Sequence, residues 1–213
     1  MSSKKSKRSE FEGDSKMFAP QLPSCSSGDG LSRRHFLRLM VWAGLISCSA
    51  KSVFAEVVDP ALTERSLALY NPQTKESFSG IYWCDGDCVA SAKENINHIM
   101  RDVRTDNAKE IDIRLLDTLF AISTKLKPQE PFSVISGYRS PETNALLRKR
   151  GRGAAKNSYH IKGQAADIRL KGYRTSALRR AAAELKIGGV GYYPRRRFIH
   201  IDVGPVRYWT GKK

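Results

Sequence analysis

The chain has 213 residues, 40% hydrophobic and 27% charged, a composition that suits one ordinary globular domain and not a fibrous or wholly disordered chain. Its 37 Lys and Arg against 21 Asp and Glu give a net charge of +16. Such a surface attracts polyanions in general, whether nucleic acid, anionic lipid or anionic wall polymer, and charge alone does not choose among them.

Residues 1–31 are polar, rich in Ser, Lys and Gly, and carry no apolar period, so disorder is expected. Ser32-Arg33-Arg34-His35-Phe36-Leu37-Arg38 then leads into an apolar run from Leu39 to Ile46. That run is far shorter than the roughly 20 residues of a membrane-spanning helix. It fits the apolar part of a signal peptide, with Val53-Phe54-Ala55 as the cleavage site before Glu56. The segment resembles a twin-arginine export signal. The expected division is therefore a leader over 1–55 and a folded domain over 56–213, located in the periplasm with no membrane span in the mature chain. Leu45-Ile46-Ser47-Cys48 offers a lipid anchor at Cys48 as the minor alternative. After residue 55 the chain still carries 28 basic against 17 acidic side chains. Of the four cysteines, Cys84 and Cys88 remain after the leader, spaced around Asp85-Gly86-Asp87. An oxidising compartment and a tight glycine turn suit a disulfide between them. A two-cysteine zinc knuckle is the alternative, with no second pair to complete it.

Ser66 to Tyr70 and Phe78 to Trp83 alternate like strands on either side of Asn71-Pro72-Gln73-Thr74-Lys75-Glu76, a hairpin signal. Val89 to Val103 has helical period, with Val89, Ile96, Ile99, Met100 and Val103 on one face. His98 in this segment reads as structural. Ile113 to Leu126 is a second amphipathic helix with Leu116, Leu119, Phe120 and Ile122 inward, ended by Pro128 and Pro131. A short strand, Phe132 to Ile135, delivers Gly137-Tyr138-Arg139 to its end. Ser140 then caps a helix with Pro141 in its first turn, Leu146 and Leu147 inward and Gly151 at its close. Arg148, Lys149, Arg150 and Arg152 read as its solvated basic exit. Thr175 to Lys186 is an Ala-rich helix, and Val190–Tyr193 and Phe198–Val203 are strands joined by Pro194-Arg195-Arg196-Arg197.

The chemistry gathers between Ser158 and Asp202. Two of the four histidines are here, His160 and His200, together with Asp167 and Asp202. Two imidazoles and a carboxylate with an open fourth position make a catalytic zinc site. Gly163 lets the chain turn after His160, and Ala165-Ala166-Asp167-Ile168 reads as a buried strand. Residues two apart on a strand face the same way, so His200 and Asp202 share a face, and a neighbouring strand can set His200 beside Asp167.

Ser158-x-His160-x-x-Gly163-x-Ala165-x-Asp167 followed by a strand-borne His resembles the zinc D-Ala-D-Ala peptidases, within the lysostaphin-type and hedgehog-like metallopeptidases. Ser136 to Ser140, Gly188 to Pro194, Phe198 to Asp202 and Gly204 to Trp209 are similar to the murein endopeptidase K branch of that group. The resemblance runs from about residue 64 to 209, and it implies zinc ligation by His160, Asp167 and His200. It also implies that Arg139 meets the substrate or its oxyanion, the alternative being a structural salt bridge. Ser158 and Gln164 are expected to hydrogen-bond near the metal, and Tyr192 and Tyr193 to line the cleft. Many relatives place a base one to three residues before the last ligand, but Arg197, Phe198 and Ile199 stand there. Asp202 is the candidate base, with orientation of a His ligand as its rival role.

These readings imply an α+β domain with a mainly antiparallel sheet carrying the zinc, flanked by helices, and the resemblance implies that it hydrolyses peptide cross-links or stem peptides of peptidoglycan, as an endopeptidase or a carboxypeptidase. A zinc-bearing module that binds wall peptides or a protein partner without cleaving them is the alternative. The export signal argues against a nucleic-acid partner.

Overall fold

The computed structural model describes residues 63–151 and 153–211. The expected leader, with Arg33-Arg34, Cys48 and the cleavage site at Ala55, lies outside the described residues.

Strands β1 (Glu64–Tyr70) and β2 (Ser77–Cys84) form the expected hairpin. Asn71 builds its loop: the side-chain carbonyl accepts from Gln73 N, and the side-chain amide donates to Ile99 O at 2.9 Å, tying the loop to the next helix. The chain turns at Asp85-Gly86, both at positive φ, into β3 (Asp87–Cys88). The register sets Cys88 opposite Trp83 and Asp87 opposite Cys84. Neighbouring strand residues point to opposite faces, so the Cys84 and Cys88 sulfurs do not meet, and Cys88 keeps a free thiol. The Cys84–Cys88 disulfide is therefore not formed.

Helix α1 (Ala90–Ile99) is shorter than its apolar period, because the chain turns at Met100 and leaves Val103 exposed. Helix α2 (Ile113–Leu126) is capped by Asp112, which accepts from Arg114 N. Strand β4 (Phe132–Ser136) leads into α3 (Pro141–Lys149), where Ser140 Oγ accepts from Thr143 N at 3.1 Å. Thr143 and Asn144 are buried on α3, whereas Leu146 is exposed. Only one side of α3 meets the protein, and its polar residues serve the cleft. A 3₁₀ turn (Tyr159–Lys162) precedes β5 (Ala165–Leu170). Helix α4 (Thr175–Glu184) and strands β6 (Gly189–Tyr193), β7 (Phe198–Asp202) and β8 (Arg207–Thr210) complete the described chain.

The strands form one sheet in the order β3-β2-β1-β4-β5-β7-β6-β8. The sheet is mixed: among the described residues five of its seven pairings are antiparallel, while β1 runs parallel to β4, and β6 to β8. Two helices intervene between β1 and β4, which gives the chain the length to return in the same direction. The α+β class stands, and the described residues make a single domain.

Alternation along the central strands divides the work of the two sheet faces. Ala166, Ile168 and Leu170 of β5 and Ile199 and Ile201 of β7 join the core with Leu69, Ile96, Leu115, Leu119 and Ile122. Each of the leucines and isoleucines contributes about 1.5–3 kcal/mol by leaving water. The alternate positions, Asp167, Arg169, His200 and Asp202, stand on the other face. A one-residue slip would exchange the two sets, so the apolar pattern that fills the core also fixes where the polar groups stand.

Candidate active site

Strands β5 and β7 pair antiparallel with Asp167 directly opposite His200. His200 Nδ1 lies 2.9 Å from Asp167 Oδ1. His160 comes from the 3₁₀ turn, and its Nε2 is 3.1 Å from His200 Nδ1 and 3.4 Å from Asp167 Oδ1. Three ligand atoms thus converge on one point.

The backbone around His160 is tied at several places. Tyr138 N donates to Met100 O at 2.7 Å, which fixes the segment after β4. Gly137 O then accepts from His160 Nδ1 at 2.7 Å, and Arg139 N donates to His160 O at 3.2 Å. Gly163 closes the 3₁₀ turn at φ +69°, and a Cβ there would run into the carbonyl oxygen of Glu110.

The partners decide the tautomers. Gly137 O only accepts, so His160 carries its proton on Nδ1 and presents a lone pair from Nε2. His200 Nε2 lies 2.9 Å from Asp202 Oδ2. Burial pushes the Asp202 carboxyl up, but the hydrogen bond and charge of His200, Gly204 N–H and Arg207 outweigh it and hold it at about 2. Asp202 is therefore an acceptor, His200 Nε2 a donor, and a neutral His200 presents the lone pair of Nδ1. Asp167 is pulled well below the usual carboxylate range, because His160 and His200 outweigh its burial. Two nitrogen lone pairs and a carboxylate oxygen then face one another and call for a cation between them. The same demand shows in His200, whose pKa is raised: burial lowers it, but hydrogen bonds and charge from Asp167 and Asp202 prevail. Burial pushes His160 down, which keeps it neutral as a metal ligand must be. A His/Asp/His donor set with each imidazole oriented from behind fits zinc.

Asp202 itself stands behind His200, on the side away from the convergence point. Its side chain is buried, and both oxygens are taken by His200, Arg207 Nη1 and Nη2, and the N–H groups of Gly189 and Gly204. Of the two roles weighed for it, this placement matches orientation of His200 and leaves it no reach to a group in front of that ring. The base role is at odds with the geometry.

The convergence point opens into a cavity of about 540 Å³ whose wall includes Arg139, Tyr159, Tyr193, Phe198 and Trp209. Asp167 is the one carboxylate on that wall among the described residues. The Arg139 guanidinium is mostly buried and only loosely held, 3.7 Å from Asp167 Oδ2, 3.3 Å from Ser136 Oγ and 3.5 Å from Asn144 Oδ1. Ser158 lines the cavity. Gln164 does not: its amide donates to Asp112 Oδ2 at 3.0 Å, under the 3₁₀ turn. Tyr192 also departs from expectation. Gly191 and Tyr193 share the His200 face of β6, whereas Tyr192 packs against the core on the other face.

Sequence reasoning assigned no role to Arg207 and Trp209. Arg207 grips Asp202 and stacks within 5.2 Å of the Tyr159 and Trp209 rings, and the Trp209 ring centroid lies 5.3 Å from that of His200. Gly191 has no side chain because the Trp209 indole occupies that space. The signal was present in Gly204-Pro205-x-Arg207-x-Trp209, where Arg207 and Trp209 stand two apart on one strand face.

Residues 59–209 match the model of the peptidoglycan L,D-endopeptidase MepK family of peptidases. The chain belongs to this family. It is 44% identical over 145 residues to the peptidoglycan L,D-endopeptidase MepK of Escherichia coli K12, covering 68% of this chain and 80% of that protein. The Shigella flexneri protein of the same name gives the same figures. The probable peptidoglycan L,D-endopeptidase MepK of Haemophilus influenzae is 40% identical over 181 residues, covering 84% of this chain and 96% of that protein. The matched span takes in every element that builds the site.

Proposed function

We propose that this chain is a zinc-dependent peptidase that hydrolyses peptide bonds of peptidoglycan in the periplasm, at an L,D bond as its relatives are named. The observation that carries the zinc is the convergence of His160 Nε2, His200 Nδ1 and Asp167 Oδ1, with both tautomers set by partners behind the rings. When bound, zinc supplies a water of lowered pKa and polarises the scissile carbonyl. The chain's own residues do the rest. Gly137 O and Asp202 hold the two imidazoles, and Arg207 holds Asp202. The Arg139 guanidinium, held by long contacts, is free to exchange them for the substrate carbonyl or oxyanion. Tyr193, Phe198 and Trp209 wall the cleft and exclude water from one side.

The test is to digest purified sacculi and identify the released fragments by mass spectrometry. Fragments ending at an L,D bond, absent with His160→Ala, are expected. Intact sacculi after treatment with zinc-loaded protein would refute the reading. The periplasmic location rests on Arg33-Arg34 and the short apolar run after them. Replacing both arginines by lysine should retain the protein in the cytoplasm, and an unchanged periplasmic amount would refute that route.

A further inference from the structure

Resting on the peptidase reading above, we infer that the basic groove continuous with the metal-facing cavity is a carboxylate-binding arm of the cleft, which holds a free carboxylate of the peptide substrate between Arg104 and Arg196.

The groove encloses about 600 Å³ and shares Arg104, Arg139, Leu147, Asp167, Arg196 and Phe198 with the cavity in front of the metal ligands. A chain lying in one therefore enters the other. Seven arginines and two aspartates line it. Asp167 lies 3.7 Å from Arg139, but neither aspartate forms an ion pair with Arg104 or Arg196. Asp167 faces the two imidazoles, and buried Asp102 is turned into the start of α3, accepting from Ser140 N at 2.8 Å and Arg104 N at 3.0 Å.

The arginines differ in what they are already bound to. Arg101 is spent on Glu76 and Asp106, at 2.6 Å each. Arg104, Arg195, Arg196 and Arg197 form no ion pair with a carboxylate among the described residues, and all four are exposed. Arg104 follows α1, and Arg196 stands on the β6–β7 turn, so the two reach the groove from different elements. Both also line the metal-facing cavity, which puts them at the junction. A merely solvated basic surface would spread its charge. Here unpaired guanidiniums from separate elements meet in one concavity beside the site. The guanidinium fork matches a carboxylate bidentately and has no such match to a neutral amide.

The test uses the zinc-loaded full-length protein and a stem tetrapeptide N-methylated at its L,D bonds, so that binding is read without turnover. It is compared with the same peptide carrying every carboxylate as the amide. Calorimetry should show the acid form binding about tenfold more tightly, and the Arg104→Gln/Arg196→Gln double variant should narrow that gap to about twofold. Equal binding of the two peptides, or a gap unchanged in the double variant, overturns the proposal. So does displacement of the acid peptide by millimolar inorganic phosphate at constant ionic strength, which would make the groove a phosphate site. Failure of the peptidase reading shows separately, as no cleavage of the unmethylated peptide whatever the binding gap.

Discussion

Asp202 lies behind His200, and that position decides what its loss would do. Asp202→Asn keeps the shape but replaces a carboxylate held by Arg207 with an amide, which no longer fixes His200 Nε2 as the donor. Zinc affinity should then fall by roughly 10–100-fold, the usual cost of losing a partner that orients a ligand. Competition with a chelator of known affinity would measure it. A variant with unchanged zinc affinity and a large loss of turnover would instead return Asp202 to the role of base. The proton on His200 leads to a second expectation. Its pKa is raised, so it is protonated below that value and must lose its proton for Nδ1 to bind metal. Metal affinity should therefore rise with pH and level off once His200 is neutral. A flat affinity across that range would show that no proton competes with the metal.

At the level of elements, strand alternation made the two faces of β5 and β7 readable in advance, because apolar and polar residues take turns along both. Helix α2 was readable from its period, with matching limits. What the sequence did not carry was adjacency. No local pattern says that β7 lies between β5 and β6, or that β8 adds in parallel at the edge. Strand β8 has only four residues, too few for a period to show. Tyr192 and Tyr193 look equivalent as neighbours, and only the register with Ile199 and Phe198 separates core from cleft. Leu146 misled for a similar reason, since a helix lying at the rim of a cleft buries polar residues and exposes apolar ones. The 3₁₀ turn depends most on one residue. Gly163→Ala forces a left-handed residue that costs about 1–2 kcal/mol, with a clash against Glu110 added to it. A melting temperature lower by several degrees and a reduced zinc content are expected, because the turn carries His160. Wild-type stability and zinc content in Gly163→Ala would mean that the turn relaxes without moving its ligand.

For the whole molecule, the 3₁₀ turn and the sheet together bring His160 and His200, 40 positions apart in sequence, to one face, and helices cover the other face of the sheet. The donor set was legible as residue types and spacing, because histidines are few and two of them stand in strand-and-turn contexts beside an aspartate. Of the supports behind the imidazoles, Asp202 was legible as a residue able to orient a His ligand, because it shares a strand face with His200, whereas Gly137 O and Arg207 were not, since they reach the site through folding alone. The central claim is that these three side chains make one zinc site, and elemental analysis of the purified protein tests it most directly. Wild-type protein should carry about one zinc per chain, the stoichiometry of a single site of this kind, and the His160→Ala/Asp167→Ala/His200→Ala variant should carry none. Full zinc in that triple variant, or none in the wild type after zinc loading, would contradict the account.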